Sequence, residues 1–279
     1  MYKTILVHVD GSPAQESRVR AAAIVAKKQG SHLVGCQSTG ITWLDLSLSA
    51  GSMNAPHPLI DFDALRAAGA RLLDAFALQA QRAGAGSVET RLADDLPDAS
   101  LQLQARYADL VVLSQDAPSS ANLFPGRRHL PEQLVVRCPR PILVVPAGYR
   151  SAPIASTIVA GWDGSIQAMH ALSAALPLLA TADRVALALI NPDERSGLHG
   201  EEPGADMALY LARHRVEVEV VVQRTAQAPA QALLTLARQS GAGLIVAGAY
   251  GHSRYREWVL GGTTRALLSQ AQIPLLLAH

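Results

Sequence analysis

The chain has 279 residues, a length that suits two α/β domains of roughly 100 to 150 residues each. Charged residues make up 17% of it and the formal net charge is +1, so it lacks the broad basic field that nucleic-acid binding requires. The two cysteines form no metal-ligand cluster and no apolar run approaches the roughly 18 residues of a membrane span, so we expect a cytoplasmic protein that binds neither a structural metal nor a membrane.

The first half of the chain alternates short apolar runs with longer helical patterns. Strands that alternate with helices indicate a parallel sheet covered on both faces, because each parallel crossover needs a connecting helix. Strands are predicted near 4–9, 32–37, 88–92, 109–114 and 141–145, and helices near 13–29, 62–84, 97–106 and 128–137.

Two segments of this half carry more specific signals. Ser12 is followed by Pro13, a pair typical of a helix start, so we interpret Ser12 as an N-cap rather than a nucleophile. His8, on the first strand, is interpreted as a structural residue. Residues 39–61, whose second part is rich in glycine, serine and proline, predict a long loop with one helical turn. Trp43 within it is expected to be half-buried, with a lid or a partner contact as the alternative.

The second half repeats the first. The run Ile158–Ser165 echoes Ile5–Ser12, in each case an apolar strand that ends in Asp-Gly-Ser. We therefore predict an α/β fold with two Rossmann-like domains, residues 1–150 and 151–279. Each is expected to be a five-stranded, mainly parallel sheet of flavodoxin-like order with helices on both faces. Strands of the second copy are predicted near 156–161, 184–190, 216–222, 243–248 and 274–278.

The final strands of the two copies, Pro141–Val145 and Pro274–Ala278, would be exposed apolar sheet edges if they were left alone. Exposed edges invite pairing with another strand. We expect the two copies to associate through these strands as an intrachain pseudo-dimer, and homodimerisation in addition stays open.

A glycine ladder follows the fourth strand of the second copy. Gly248 and Gly251 are followed after nine residues by Gly261 and Gly262, and a helical pattern begins directly afterwards. Glycines let backbone amides approach an anion, and the first turn of a helix offers further unpaired N–H groups. In a parallel sheet, ligands bind outside the carboxyl ends of the strands, where Asp163 also lies. We favour a phosphate site over an ordinary surface loop.

These motifs, in this order, resemble the universal stress protein family in its tandem form. The resemblance rests on the strand that ends in Asp-Gly-Ser, the G-x2-G-x9-G spacing before a helix, and the final strand that follows a proline. It covers almost the whole chain, with each copy similar to one family domain. In the nucleotide-binding branch of the family it implies ATP, with or without Mg²⁺, held at the strand ends.

The resemblance also implies roles for residues of the second copy. Asp163 would approach the ribose or the phosphates, Ile190 would contact adenine, and Gly248 and Gly251 would pass close to the ribose and phosphates. Four residues would wrap the phosphates: Gly261, Gly262, Thr263 and Thr264.

Each copy departs from the family pattern. In the second copy, Gly262 stands where the family prefers serine or threonine after the third glycine, so one hydroxyl donor is lost. The first copy has Ser114 and Ala117 in place of the first two glycines. Arg127 and Arg128 follow near the place of the phosphate-wrapping segment, where a solvated helix start is favoured over an anion grip. The first copy is therefore predicted to have lost the standard ATP site.

Three functions remain open. The favoured one is a cytoplasmic ATP-binding stress-response or regulatory protein whose protein partner the sequence does not name. The alternatives are an enzyme that hydrolyses ATP or transfers its adenylyl group, and a nucleotide-free scaffold. No catalytic residue is assigned, because the chain has no G-x-S-x-G elbow, P-loop lysine motif or paired catalytic carboxylates.

Overall fold

The structure, a computed structural model, describes residues 1–51, 61–116, 130–150, 153–193, 201–251 and 262–279. The first half of the chain alternates strands with helices along its length. Its elements are β1 (Thr4–Val9), α1 (Gln15–Gln29), β2 (His32–Ser38), α2 (Trp43–Gly51), α3 (Phe62–Arg82), β3 (Val88–Ala93), α4 (Pro97–Ala105), β4 (Leu110–Ser114), α5 (Leu130–Arg137) and β5 (Ile142–Val145).

The second half repeats this order over its described residues. Its elements are β6 (Thr157–Gly161), α6 (Ile166–Leu179), β7 (Arg184–Ile190), α7 (Ala205–Arg213), β8 (Glu219–Gln223), α8 (Pro229–Gln239), β9 (Leu244–Gly248), α9 (Gly262–Gln270) and β10 (Leu275–Ala278). The predicted strands are confirmed to within three residues. The largest shift is at β8, because Arg215 adopts a left-handed conformation (φ 62°) and the amide of Val216 still bonds back to Leu211 of α7.

The described strands form a single sheet in the order β3-β2-β1-β4-β5-β10-β9-β6-β7-β8. Within each half every pairing is parallel, and the order β3-β2-β1-β4-β5 is repeated as β8-β7-β6-β9-β10. The predicted α/β class with two five-stranded Rossmann-like sheets is therefore confirmed. The predicted flavodoxin-like strand order is wrong, because β3 and β8 pair with the outer sides of β2 and β7 instead of lying beside β1 and β6.

The two halves meet edge to edge through their last strands. β10 pairs antiparallel with β5, with Leu276 opposite Leu143. Both leucines are fully buried, so this seam is part of the hydrophobic core. The predicted pairing of the final strands is present.

Polar contacts extend the seam, from side chains of α1 and the start of the chain to backbone carbonyls in and just after α6. The Tyr2 hydroxyl donates to the Ala174 carbonyl at 2.7 Å. The Gln29 side-chain amide donates to the Pro177 carbonyl at 2.7 Å, and the Lys28 ammonium donates to the Thr181 carbonyl at 2.6 Å.

Apolar side chains fill both faces of the sheet, and the four central strands are buried except at the last residues of β4, β9 and β10. One face packs against α1, α3 and α6, and the other against α4, α5, α8 and α9. This two-sided coverage is what a parallel sheet requires. Among the described residues, no helix is long and apolar enough to cross a membrane.

The segment 39–61 differs from the prediction. Instead of a single turn it contains α2, whose start is a reciprocal cap: the Asp45 amide donates to Thr42 Oγ1 at 3.2 Å, and the Thr42 amide donates to Asp45 Oδ2 at 2.8 Å. The half-burial expected for Trp43 is wrong, because 79% of this residue is exposed. Of the rest of the segment, residues 52–60 lie outside the described part of the chain.

The start of α1 also differs from the prediction. Ser12 is not an N-cap: its hydroxyl donates to Asp10 Oδ1 at 2.8 Å, and the helix begins only at Gln15. In the second half the equivalent Ser165 does cap α6, accepting a hydrogen bond from the Ala168 amide at 3.1 Å. The two crossovers therefore open differently, although both follow an Asp-Gly-Ser sequence.

Candidate functional site

The candidate site lies where the strand order of the second half reverses, at the carboxyl ends of the neighbouring strands β6 and β9. The chain leaves β6 toward α6 on one side of the sheet and leaves β9 toward α9 on the other side. A crevice therefore opens between the two strand ends. Asp163 follows β6, while Gly248 ends β9 and Gly251 follows it. The sequence predicted that these three residues share one end of the sheet, and the structure places them there.

Gly248 brings β9 into close contact with the first turn of α6. A Cβ atom at this position would overlap the backbone of Gln167 and Ala168. The strand end and the helix start therefore lie in contact, with no room for a side chain at Gly248. Because first-turn amides of a helix lack intrahelical acceptors, this approach directs N–H groups and the positive end of the α6 dipole toward the crevice.

Asp163 and Ser165 order the turn that leads into α6. The Ser165 amide donates to Asp163 Oδ1 at 3.1 Å, and Gly164 between them has a left-handed φ of 75°. Gly251 lies against the same turn: a Cβ there would come within 2.9 Å of Gln167 Oε1 and 3.3 Å of Ser165 Oγ. The β6–α6 turn and the loop after β9 thus touch, and glycine at 251 leaves room between them.

The loop after β9 is also tied to the start of α9. Tyr250 adopts a left-handed conformation (φ 57°), and its amide donates to Thr264 Oγ1 at 3.1 Å. Thr264 is buried, whereas Gly262 at the first position of α9 has no atom of the described residues within 4 Å of where its Cβ would lie. Thr263 lies beside them in the same turn, and Gly261 lies outside the described residues.

Ile190 ends β7, on the other side of β6 from the ladder. It is half-buried and packs against the core on the face that α8 covers. The next residue, Asn191, was missed by sequence reasoning. Its side chain exchanges two hydrogen bonds of 2.8 Å with Thr225, accepting from the amide and donating to the carbonyl. An Asn-Pro pair directly after a strand was the signal that could have revealed this brace.

Chemically, the described part of the site offers backbone amides, two threonine hydroxyls and one carboxylate. This donor set suits a phosphorylated, hydroxylated ligand. Over the described ranges there is no group of three or more His, Cys, Asp or Glu residues that could hold a metal ion.

The corresponding crevice of the first half, between β1 and β4, is built from larger polar side chains. The Arg18 guanidinium donates to Asp10 Oδ1 at 2.6 Å and to Ser114 Oγ at 3.0 Å, and Arg18 is 1% exposed. His8 Nδ1 lies 3.8 Å from Asp10 Oδ2. Sequence reasoning treated His8 as structural and missed Arg18, while Ala117, Arg127 and Arg128 lie outside the described residues.

The charges in this crevice shift one another. Burial and the nearby Arg18 cation lower the pKa of His8 to about 4, against a smaller opposing effect of Asp10. Burial alone would raise the pKa of Asp10, but the Arg18 cation and its hydrogen bond outweigh burial and hold that pKa below its usual value. The crevice of the first half therefore contains a neutral histidine beside an ion pair between the buried Arg18 and the partly exposed Asp10.

Known proteins resemble the chain over its second half and over its whole length. Residues 155–279 match the sequence profile of the universal stress protein family. The whole chain is similar to a universal stress protein of Synechocystis, with 26% identity over 296 residues that cover 98% of this chain and 99% of the relative.

Solved structures show the same likeness. A universal stress protein of Archaeoglobus fulgidus DSM 4304 superposes with a TM-score of 0.72 at 15% identity, covering 99% of this chain and 95% of that one. A protein of Pseudomonas aeruginosa PAO1 superposes with a TM-score of 0.60 at 17% identity, covering 99% and 92%. At these identities the likeness establishes the tandem fold.

Proposed function

We propose that this chain, whose residues 155–279 form a universal stress protein domain, is a cytoplasmic stress-response protein that binds ATP in its second half. The observation that supports this most directly is the close approach of Gly248 to the first turn of α6. It leaves no room for a side chain between β9 and α6, and it brings helix amides to the edge of the crevice. Both cysteines of the chain are free, as a reducing compartment favours.

The nucleoside end would lie between β6 and β7. Asp163, whose carboxylate already orders the β6–α6 turn, would accept hydrogen bonds from ribose hydroxyls or face the cation that accompanies the phosphates, Mg²⁺. Ile190 would pack against adenine, and the Asn191 brace would hold that strand end in place. Adenine would thus contact an apolar side chain and the ribose a polar one.

The phosphate end would lie against the start of α9. Gly248 and Gly251 let the chain pass close to the phosphates, and the first turn of α9 with Gly261, Gly262, Thr263 and Thr264 would surround them with amides and hydroxyls. Thr264 Oγ1 already accepts a hydrogen bond from Tyr250, and its own proton would donate to a phosphate oxygen. When bound, ATP would supply the negatively charged phosphate oxygens that accept hydrogen bonds from these amides and hydroxyls.

The division into residues 1–150 and 151–279 belongs to the same proposal. The first half would act as the permanent partner of the second, because β5 occupies the sheet edge that β10 would otherwise expose. The chain is then a pseudo-dimer in itself. Homodimers would need a surface other than this seam.

The proposal is tested by measuring what the purified protein binds. We expect adenine nucleotide at about one per chain to be released on denaturation, and calorimetric titration of the stripped protein with ATP to show one site per chain. Gly251→Val, which places a branched side chain against Ser165 and Gln167, should abolish binding while the protein stays folded.

Gly86→Val is the matched control, because a side chain at Gly86 meets no described atom within 4 Å and the residue lies between α3 and β3 of the first half. It should bind ATP as the parent does. No bound nucleotide and no thermal shift with ATP would instead favour a nucleotide-free scaffold. Steady multiple-turnover release of ADP or AMP would show that the protein is an enzyme that hydrolyses ATP or transfers its adenylyl group.

A further inference from the structure

The crevices of the two halves differ at three equivalent positions. Each residue of the first crossover corresponds to the residue 153 positions later in the second half, and each residue of the fourth strand to the one 134 positions later. In this alignment small residues of the second half correspond to larger polar residues of the first. The three pairs, first half before second, are His8 and Gly161, Arg18 and Ala171, and Ser114 and Gly248.

Arg18 is the residue that fills the crevice of the first half. It extends from α1 across the ends of β1 and β4, which its contacts with Asp10 and Ser114 bridge. Its Nε atom is buried and has no hydrogen-bond partner within the described ranges, although such an unpaired donor is unfavourable. A long cationic side chain that is 1% exposed therefore occupies the switch point.

Arg18 also engages the carboxylate that a ligand would need. Asp10 is the counterpart of Asp163, and its Oδ1 atom accepts hydrogen bonds from Arg18 at 2.6 Å, from the Ser12 hydroxyl at 2.8 Å and from the Ser12 amide at 3.0 Å. In the second half Ala171, a buried methyl side chain, replaces the arginine. A ribose hydroxyl that approached Asp10 Oδ1 would compete with this guanidinium, which is buried although the Asp10 side chain itself is 32% exposed.

Ser114 removes the close approach that Gly248 permits. Its hydroxyl lies 3.3 Å from the Ala14 carbonyl and accepts a hydrogen bond from Arg18. In the alignment with an offset of 153 residues, α1 begins at Gln15, two positions later than α6 begins at Ile166. In the second half the first turn of α6 borders the crevice. Among the described residues of the first half, no helical turn lies at the equivalent place.

We propose that Arg18 is an internal occupant of the first-half crevice, and that it is the residue that confines nucleotide binding to the second half. This rests on the proposed function for its choice of ligand. It differs from the loss of the glycine ladder as an explanation, because it assigns the exclusion to a filled nucleoside position rather than to a missing phosphate loop.

The test uses photoaffinity labelling of the full chain with 2-azidoadenosine, which needs no phosphate loop, followed by peptide mapping. In the parent protein we expect labelled peptides from residues 151–279 only. In Arg18→Ala/Ser114→Gly we expect labelling within residues 1–150 to rise at least about tenfold, and to be competed by adenosine, whereas Ser114→Gly alone, which keeps Arg18, should leave the first half unlabelled. Arg20→Ala, which removes a partly exposed arginine of the same helix, should leave the labelling pattern unchanged.

Two results would overturn the proposal: labelling of the first half of the parent as strong as that of the second, or a folded double variant with an unlabelled first half. If the double variant does not fold, the single variant Arg18→Ala and equilibrium dialysis of the parent decide, and two adenosines per parent chain would refute the proposal. An opened first half that is labelled beside an unlabelled second half would support the occupant while rejecting the proposed ATP site.

Discussion

Tyr250 donates its backbone amide to Thr264 Oγ1 across 3.1 Å, and this hydrogen bond joins the two ends of the glycine ladder. Tyr250 lies in the loop after β9 in a left-handed conformation, which is unfavourable by about 1–2 kcal/mol for a residue with a side chain. Thr264 is buried in the first turn of α9. The contact holds the loop against the helix start, where the phosphates of a nucleotide are proposed to lie.

Replacing Thr264 by valine should weaken both folding and nucleotide binding. The change keeps the shape of the side chain but leaves the Tyr250 amide without its acceptor, so we expect the free energy of unfolding to fall by about 1–3 kcal/mol. Thr264→Ser keeps the hydroxyl and should retain ATP binding. Urea denaturation and calorimetric titration measure the two effects, and equal behaviour of the two variants would contradict the role assigned to this hydroxyl.

Three glycines of the site should respond very differently to alanine. Gly248→Ala should lower the free energy of unfolding by about 2–3 kcal/mol, because the new Cβ overlaps the backbone of α6. Gly251→Ala meets only the ends of the Gln167 and Ser165 side chains and should change it by about 1 kcal/mol. Gly262→Ala, in open space among the described residues, should change it by less than about 0.5 kcal/mol. If Gly262→Ala had the lowest denaturant midpoint of the three variants, close packing would not be the reason for a glycine at position 248.

Restoring the hydroxyl that the family pattern favours should strengthen ATP binding. Gly262→Ser adds a donor at the first position of α9, and one additional hydrogen bond to a charged phosphate corresponds to a gain of about tenfold in affinity. Gly262→Ala is the control, because it adds the Cβ without the hydroxyl. Calorimetric affinities that are the same for serine and alanine would place the phosphates away from this turn.

The fold could be predicted from the sequence because its signals are local and repeated. Most strands are short apolar runs, and the echo of Ile5–Ser12 in Ile158–Ser165 assigned the same topology to both halves. The partnership of β5 with β10 followed from the apolar character of both final strands. The shared position of Asp163 and Gly248 followed from the rule that the ends of parallel strands lie together.

What the sequence did not predict depends on contacts between distant residues. Arg18 resembles any polar residue of a helix until β4 brings Ser114 beside it, 96 residues away along the chain. Ser12 and Ser165 follow identical strand endings, yet only Ser165 caps its helix, because Gly248 allows α6 to start close to the sheet. The missed helix α2 did have a local signal, the reciprocal cap of Thr42 and Asp45.

His8 should make the stability of the protein depend on pH between about 6.5 and 4. Its pKa is lowered to about 4 in the folded protein, so the unfolded chain binds a proton first as the pH falls. The stabilisation is therefore complete above the ordinary pKa of histidine and is lost as the pH falls toward 4, by roughly 3 kcal/mol in total. The charged groups beside it are Asp10 and Arg18, and the lowered pKa of Asp10 moves its own loss of stability to more acidic conditions.

The variant His8→Gln, which carries no titrating group, should flatten the curve of unfolding free energy against pH in this window. His214→Gln changes an exposed histidine of the second half and should leave the slope of the parent unchanged. Urea denaturation at half-unit pH intervals gives both curves. A slope in His8→Gln as steep as in the parent would assign the pH dependence to other groups.

The seam between β5 and β10 should make the two halves unfold together. Leu276 is fully buried opposite Leu143, so Leu276→Asp places a charge in the core that both halves share and should lower the free energy of unfolding by more than about 3 kcal/mol. Val222→Asp is the matched control, because Val222 is 37% exposed on β8 at the outer edge of the same sheet. It should cost far less. Hydrogen exchange followed by mass spectrometry checks the coupling: in Leu276→Asp the protection of β1 and β4 should fall along with that of β6 and β9. Loss of protection confined to the second half would mean that each half folds independently of the seam.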